Sequence, residues 1–251
     1  MCSRYWVDES PELRPIVEEM NRSPLVNRWL RTQAVKRSGE IRPTDVAPVI
    51  APDRQGKRAV FPMRWGFTGK NLMINARVET AAEKPTFRES WQRRRCVIPA
   101  SWYYEWEHRQ GNDGKKYVGD RYLLQPRCPV FSGTPGRAGS GITDPVAVDA
   151  GTGTTDPVAV DAGSGTADPV AADAGSGNGG SVTWMCGLYR IEEGLPVLVI
   201  LTREPGEEIR FIHDRMPLIL PEDCIDQWIK PGASPEALLD RAVTDMVYDR
   251  A

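Results

Sequence analysis

The chain has 251 residues, of which 40% are hydrophobic and 26% charged, and its formal net charge is -2. This is the composition of an ordinary globular protein, and the length suffices for one large domain or two small ones. The sequence has no apolar run long enough to span a membrane, and the segment MCSRYWVDES lacks the apolar stretch of a signal peptide. We therefore expect a cytoplasmic protein with no membrane partner.

The hydrophobic patterns predict short strands and helices in an irregular order. A strand at 4–7 precedes a helix at 11–20, whose start is marked by Asp8, Glu9 and Ser10, and a second helix is predicted at 25–32. Further strands are predicted at 58–65, 96–99, 102–106, 117–124, 183–191 and 195–201, and further helices at 89–94, 222–228 and 235–241. Because strands and helices mix without a strict βαβ alternation, the predicted fold class is α+β.

Residues 133–181 differ from the rest of the chain in composition. DPVAVDAG occurs at 144–151 and 156–163 and DPVAADAG at 168–175, a period of twelve residues joined by Gly, Ser and Thr. With almost no bulky apolar side chain, this segment cannot offset its chain entropy, so it is predicted to be a disordered insertion, with a three-turn solenoid as the alternative. Both flanks look like strands, which predicts one domain formed by 2–132 and 182–251.

The chain has five widely scattered cysteines and two histidines, and their spacing limits the metal sites and disulfides that it could form. There is no CxxC pair, so the pattern is neither a zinc site nor a disulfide framework, and no metal or organic cofactor is expected. Four of the cysteines are interpreted as small buried hydrophobes: Cys96, Cys128, Cys186 and Cys224.

Charge is unevenly distributed. Residues 138–180 carry six aspartates and no Lys or Arg, which leaves 32 basic against 28 acidic residues elsewhere. Residues 53–95 alone hold eleven Lys or Arg against four acids. This stretch is a candidate phosphate-binding surface, although basicity by itself leaves a solvated charged face as an equal alternative.

Cys2 carries a distinctive chemistry if Met1 is removed, as is common before a small residue. An α-amine and a thiol then stand on adjacent carbons, and together they can close on an aldehyde to a five-membered thiazolidine ring. Both groups are mostly protonated at neutral pH, so a nearby base or cation is required. Taken alone, however, Cys2 is better interpreted as an incidental second residue.

Several motifs occur together and change this interpretation. They are MCSR at the start, IRPTDVAP at 41–48, NARVET at 75–80, EKPTFRESWQRRRCVIPASWYYEW at 83–106 and IHDRMP at 212–217. In this order they resemble the SRAP family, the SOS response-associated peptidase proteins, over essentially the whole chain outside the insertion. The resemblance implies a single α+β domain with a mixed, largely antiparallel β core and flanking helices. It also implies a nucleoid-associated protein that traps abasic sites in single-stranded DNA as a covalent crosslink during the SOS response.

The resemblance makes Cys2 the crosslinking nucleophile and places Asn75, Glu105 and His213 around it. The residue types agree: Asn75 can donate and accept hydrogen bonds, and a Glu105 buried among aromatic neighbours would have a raised pKa. His213 can move a proton near neutral pH. Each also has a plain structural interpretation. Asn75 could be a turn or cap residue, Glu105 an exposed strand residue and His213 a core or surface histidine. Reversal of the adduct by Glu105 and His213 is left open.

The resemblance also places Arg77 on DNA phosphate. Arg77 is two residues from Asn75 and Arg4 two residues from Cys2, so in strands each pair would share a face. Trp65 could stack on a base, although a tryptophan is more often core. The run at 93–95 completes the predicted DNA-binding set: Arg4, Arg77, Trp65, Arg93, Arg94 and Arg95.

Two departures from the family pattern affect the surroundings of these groups. Ser3 stands where the family usually has Gly, and Ser101-Trp102 stand where it commonly has Asp-Gly. Asp214 and Arg215, which follow the histidine, are interpreted as an internal ion pair that fixes their loop.

Two rival functions remain at this point. The Cys, His, Asn and Glu set resembles a cysteine-protease constellation, which favours a thiol peptidase that removes Met1 itself. A non-covalent single-stranded DNA-binding module is the third interpretation, and its binding would fall away in high salt. In each case the chain is expected to act as a monomer.

Overall fold

A computed structural model describes residues 2–110, 114–127 and 182–251. These residues belong to one compact unit. The predicted insertion at 133–181 and Cys128 lie outside the described residues. Within the described ranges, no helix is long and apolar enough to cross a membrane.

Twelve strands and six short helices make up the described part of the chain. The strands are β1 (Arg4–Val7), β2 (Gly39–Ile41), β3 (Val46–Pro52), β4 (Arg58–Trp65), β5 (Asn75–Arg77), β6 (Arg95–Ala100), β7 (Trp102–Gln110), β8 (Lys116–Pro126), β9 (Thr183–Glu192), β10 (Leu195–Arg203), β11 (Met216–Pro217) and β12 (Met246–Arg250). The helices are α1 (Arg14–Arg22), α2 (Pro24–Trp29), α3 (Val78–Ala81), α4 (Pro85–Arg93), α5 (Ile225–Ile229) and α6 (Glu236–Leu239), with 3-10 turns at Glu207–Ile209 and Glu222–Cys224.

The first sheet has five strands in the order β12-β8-β7-β1-β2, and each described pairing in it is antiparallel. Tyr5 on β1 lies directly opposite Tyr103 on β7, and both side chains are 1% exposed. Opposite residues in an antiparallel pair share a face. This face of the sheet therefore packs into the core.

The second sheet closes on itself. Its strands follow the order β11-β10-β4-β3-β6-β9, and β9 pairs back with β10, so five strands form a ring of pairings. β10 runs parallel to β4 and then to β5, whereas its pairings with β9 and β11 are antiparallel. The β core is mixed and largely antiparallel, and the predicted α+β class is confirmed.

Proline sets the start of two helices differently from the prediction. The helix predicted at 11–20 begins at Arg14, with Pro15 in its first turn, and the helix predicted at 89–94 begins at Pro85. Proline suits this position because its missing N–H would have no partner inside the helix. The described cysteines predicted to be buried, Cys96, Cys186 and Cys224, are all 1% exposed or less.

Candidate functional site

Cys2 lies just before β1 and is fully buried. The side-chain N–H of Asn75, at the start of β5, donates a hydrogen bond to the Cys2 carbonyl oxygen at 2.8 Å. The Cys2 thiol is 3.7 Å from the carbonyl oxygen of Arg4. Burial raises the pKa of the Cys2 thiol strongly, and the nearby Glu105 carboxylate raises it further, so the thiol holds its proton at neutral pH.

Glu105 lies on β7, directly opposite Tyr122 of β8 and on the core side of the sheet. Its side chain is almost completely buried, and burial raises its pKa to about 7. A carboxyl group with this pKa gives up and takes back a proton at neutral pH. The carboxyl group can therefore exchange a proton, and it lies within electrostatic reach of Cys2.

His213 meets Glu105 from the loop before β11. Its Nε2 is 3.3 Å from Glu105 Oε1. Its Nδ1 is 3.0 Å from the backbone N–H of Arg215, which needs a lone pair on Nδ1, and 2.7 Å from Asp214 Oδ1, which needs a proton there. A lone pair on Nδ1 corresponds to the neutral tautomer with its proton on Nε2, whereas a proton on Nδ1 fits both the other neutral tautomer and the charged ring.

His108, the other histidine, holds the His213 loop against β7. The backbone N–H of His108 donates to the carbonyl oxygen of Ile212 at 3.0 Å, and the two imidazole rings are 4.1 Å apart between centroids. His108 is exposed whereas His213 is buried. The loop is thus attached to the same strand that carries Glu105.

Arg215 fixes the other end of this loop, and its partner differs from the prediction. It forms a bidentate pair with Glu79, with N–O distances of 2.9 and 2.8 Å, and also donates to the carbonyl oxygen of Thr202. The predicted Asp214–Arg215 ion pair is wrong, since Asp214 contacts His213 instead. Glu79 lies in the NARVET motif, four residues after Asn75, and this motif is its signal in the sequence. Its pairing with Arg215 joins segments far apart in the chain, which the motif does not indicate.

Arg4 and Arg77 lie at the margins of the site. Arg77 is exposed at the end of β5, two residues from Asn75. Arg4 forms an ion pair with Glu40 and sits 5.6 Å from the centroid of the Trp106 ring. Their guanidinium groups stay on the solvent side of the buried residues, as a phosphate contact requires.

Arg93 and Arg94 lie at the end of α4. Arg93 is exposed, and Arg94 forms an ion pair with Glu89 at 3.2 Å. Elsewhere in the basic stretch, Arg64 is paired with Glu192 at 3.0 Å. The eleven basic residues of 53–95 therefore do not form one free surface.

Two predicted DNA-binding residues are core residues. Trp65 is 1% exposed, and its indole N–H donates to the carbonyl oxygen of Ile74 at 2.8 Å. Arg95 is 2% exposed, and its guanidinium donates to four backbone carbonyl oxygens at 2.6 to 2.8 Å. Base stacking by Trp65 and phosphate binding by Arg95 are corrected to structural roles, because neither side chain reaches the surface.

Within the described ranges, no group of three or more His, Cys, Asp or Glu side chains could hold a metal ion. The donor set at the site is instead an amide, a thiol, a carboxyl group and an imidazole. These groups come from four separate segments of the chain and can move protons around a nucleophile.

Comparisons with known proteins identify relatives of this chain. The chain is 25% identical over 244 residues to abasic site processing protein YoqW of Bacillus subtilis, covering 92% of this chain and 81% of YoqW. It is 28% identical over 172 residues to abasic site processing protein YoaM of the same organism, covering 66% of this chain and 51% of YoaM. The fold also resembles a crystal structure of a protein from Bacteroides thetaiotaomicron, with a TM-score of 0.58, 16% identity and coverage of 99% of this chain and 91% of that one. The SOS response associated peptidase (SRAP) family matches residues 1–249, and the chain belongs to this family.

Proposed function

We propose that this protein processes abasic sites in DNA, and that Cys2, freed by removal of Met1, forms a covalent crosslink with the sugar aldehyde in single-stranded DNA. The names of YoqW and YoaM support the first part. The observation that carries the second part is the convergence of Asn75 and Glu105 on Cys2, with His213 in contact with Glu105. It is this convergence that distinguishes Cys2 from an incidental second residue.

The reaction is a condensation that releases one water. The α-amine of Cys2 attacks the aldehyde carbon, and the oxygen leaves as water after proton transfer, which gives an imine. The Cys2 sulfur then adds to the imine carbon and closes the thiazolidine ring. Both N–H protons leave with the aldehyde oxygen when the imine forms, and the S–H proton passes to the imine nitrogen on ring closure, so no oxidant or reductant is needed.

Glu105 and His213 supply the proton transfers that these steps require. The Cys2 thiol is protonated at rest because burial raises its pKa. Glu105, with its pKa raised to about 7 by burial, can accept that proton, and the His213 imidazole at 3.3 Å can take or return it. The same pair would carry the protons for reversal of the adduct.

Asn75 positions the Cys2 nucleophile, and the arginines position the DNA strand. The Asn75 amide holds the Cys2 carbonyl group, which orients the nucleophile before the substrate arrives. We assign Arg77, which is exposed beside Asn75, and Arg4 to phosphates of the strand that carries the lesion. Arg93 and Arg94 extend the proposed phosphate contacts along α4.

The test is a denaturing gel of the protein mixed with single-stranded DNA that contains one abasic site. Mass spectrometry of the protein first establishes that Cys2 is the N-terminal residue. We expect a shifted band for the wild type and for Cys96→Ala, which removes a buried thiol elsewhere, and none for Cys2→Ala or with intact DNA.

Other outcomes would favour the rival functions. Binding that is lost on denaturation and in high salt would identify a non-covalent DNA-binding module. Removal of Met1 by the purified protein itself, with no DNA adduct, would identify a peptidase. Either result would overturn the crosslinking proposal.

A further inference from the structure

The outward face of the five-stranded sheet carries a row of aromatic side chains. Trp102, Tyr104 and Trp106 alternate along β7, so they lie on one face about 7 Å apart. Each has a directly opposite partner on a neighbouring strand. These cross-strand pairs are Trp102 with Trp6, Tyr104 with Arg4, and Trp106 with Arg121.

The side chains of this face contact one another as rings and guanidinium groups. The Trp6 and Trp102 rings are parallel to within 5°, with centroids 5.8 Å apart. The Arg121 guanidinium lies 4.9 Å from the Tyr104 ring centroid. The Arg4 guanidinium lies over Trp106, as described above. The result is one surface on which flat rings alternate with positive charges.

This face is not the core face of its sheet. The residues that point to the other side, Tyr5, Tyr103 and Leu124, are each 1% exposed. Trp6 and Trp102, by contrast, remain partly exposed. Packing of this domain therefore leaves the stacked tryptophan pair partly open to solvent, and aromatic rings left open in this way suit an interaction surface.

The backbone fixes the position of the pair. The Ser101 hydroxyl accepts the backbone N–H of Asp8 at 2.9 Å, and the Ser101 N–H donates to the Trp6 carbonyl oxygen at 2.8 Å. These bonds join the start of β7 to the end of β1 and set Trp102 beside Trp6.

The geometry points to a stacking site for nucleobases of single-stranded DNA, centred on Trp6 and Trp102, on the sheet face that also carries Arg4. Aromatic rings stack on any base, and the guanidinium groups beside them suit the phosphates of the same strand. At the end of the face, Glu40 is shared by Arg4 and Arg42, so one carboxylate meets two guanidinium groups and the local charge stays positive. An apolar peptide would leave these charges without partners. The inference rests on the proposed function, in that the strand stacked here is the one whose lesion reaches Cys2.

The first measurement is the affinity for undamaged single-stranded DNA of about ten to sixteen nucleotides, by fluorescence anisotropy at fixed salt. The double variant Trp6→Leu/Trp102→Leu keeps apolar bulk but removes the rings. We expect its Kd to rise about tenfold or more, and Trp6→Phe/Trp102→Phe to recover most of that loss. Ile191→Ala, which removes an exposed apolar side chain from the other sheet, is the control and should bind as the wild type does. Circular dichroism and thermal unfolding establish that each variant is folded.

The second measurement locates the contact. Single-stranded DNA with 5-iodouracil at successive positions beside an abasic site is irradiated, and the attached peptides are identified by mass spectrometry. Adducts on the peptides that contain Trp6 or Trp102 would support the inference. Wild-type affinity in the leucine variant, with adducts confined to other peptides, would overturn it. A leucine variant whose only change is a lower mass in sedimentation would also overturn the inference, because that result would identify a self-association surface.

The two proposals fail separately. If the wild type forms no Cys2 adduct but the leucine variant still loses affinity for undamaged DNA, the crosslinking proposal fails and the stacking site stands. If the adduct forms but neither ring contributes to affinity, the stacking site fails alone.

Discussion

The imidazole of His213 and the carboxyl group of Glu105 face each other at 3.3 Å, with side chains that are 7% and 4% exposed. Their burial is what couples them, because a charge on one is poorly screened from the other. Burial raises the pKa of Glu105 to about 7, so the proton count of this pair changes near neutral pH. The pair is consequently sensitive to pH in both stability and proton transfer.

Replacing Glu105 with Gln should raise stability at alkaline pH. The folded-state pKa of about 7 exceeds the ordinary value of 4.5, so Glu105 favours folding below about 4.5 and this contribution is lost as pH rises through about 7. Above that, the wild type keeps a buried carboxylate that Gln lacks. Thermal unfolding from about pH 5 to pH 8.5 should show Glu105→Gln gaining up to about 3 kcal/mol over the wild type.

The exposed Glu12→Gln change is the control for the loss of one carboxylate and should show no such pH-dependent gain. Glu105→Gln should also slow crosslinking at neutral pH, because an amide cannot carry the proton. Equal stability of wild type and Glu105→Gln at every pH would contradict the buried, raised-pKa carboxyl group.

Asn75→Asp should slow crosslinking. Aspartate has nearly the same shape but no N–H, so it cannot donate to the Cys2 carbonyl oxygen and instead sets a negative charge against it. We expect the rate to fall at least about tenfold, measured as single-turnover adduct formation on denaturing gels. Asn71→Asp, an exposed site nearby, should react at the wild-type rate. An unchanged rate in Asn75→Asp would mean that this hydrogen bond does not position the nucleophile.

Arg215→Lys should destabilise the loop that carries His213. A lysine cannot reproduce the two bonds to Glu79 and the bond to the Thr202 carbonyl oxygen, so we expect a loss of about 1–2 kcal/mol in urea unfolding. Arg241→Lys is the matched control: Arg241 pairs with Asp223 at 2.8 Å in a much more exposed position, so its replacement should change stability much less. A double-mutant cycle with Glu79→Gln measures the coupling, and no coupling would contradict the fixing role of this pair.

The parts of the fold that local pattern determines could be predicted from the sequence. β1 and β4 were predicted with the bounds that the structure shows, since both are bounded by turn or acidic residues. β3 was missed because it contains Pro48 and Pro52, and proline ordinarily argues against a central strand. β3 is buried along its whole length and lies between β4 and β6, so tertiary burial overrides the local signal. The three-residue β5 is too short to show any periodicity.

The sequence predicts the site only where the type of a residue and its neighbours along the chain determine its surroundings. The setting of Glu105 follows from its aromatic neighbours on β7, and its burial agrees with that expectation. Whether an arginine or a tryptophan is buried depends on contacts across the chain, and a run such as 93–95 gives no sign of it. Within three residues the structure goes from an exposed Arg93 to a buried Arg95, because the helix ends and β6 enters the core.

This contrast gives the last prediction, which separates a DNA contact from a structural arginine. Arg95→Met leaves the four carbonyl oxygens of Trp91, Trp228, Lys230 and Ala233 without their donor, so unfolding free energy should fall by about 3 kcal/mol or more. Arg93→Met should leave stability unchanged but weaken single-stranded DNA binding, lowering the slope of log K against log salt by about 0.7. Urea unfolding and salt titrations of both variants test this. A stable Arg95→Met with a reduced salt slope would restore Arg95 to the DNA-binding set, whereas an unchanged slope in Arg93→Met would remove Arg93 from it.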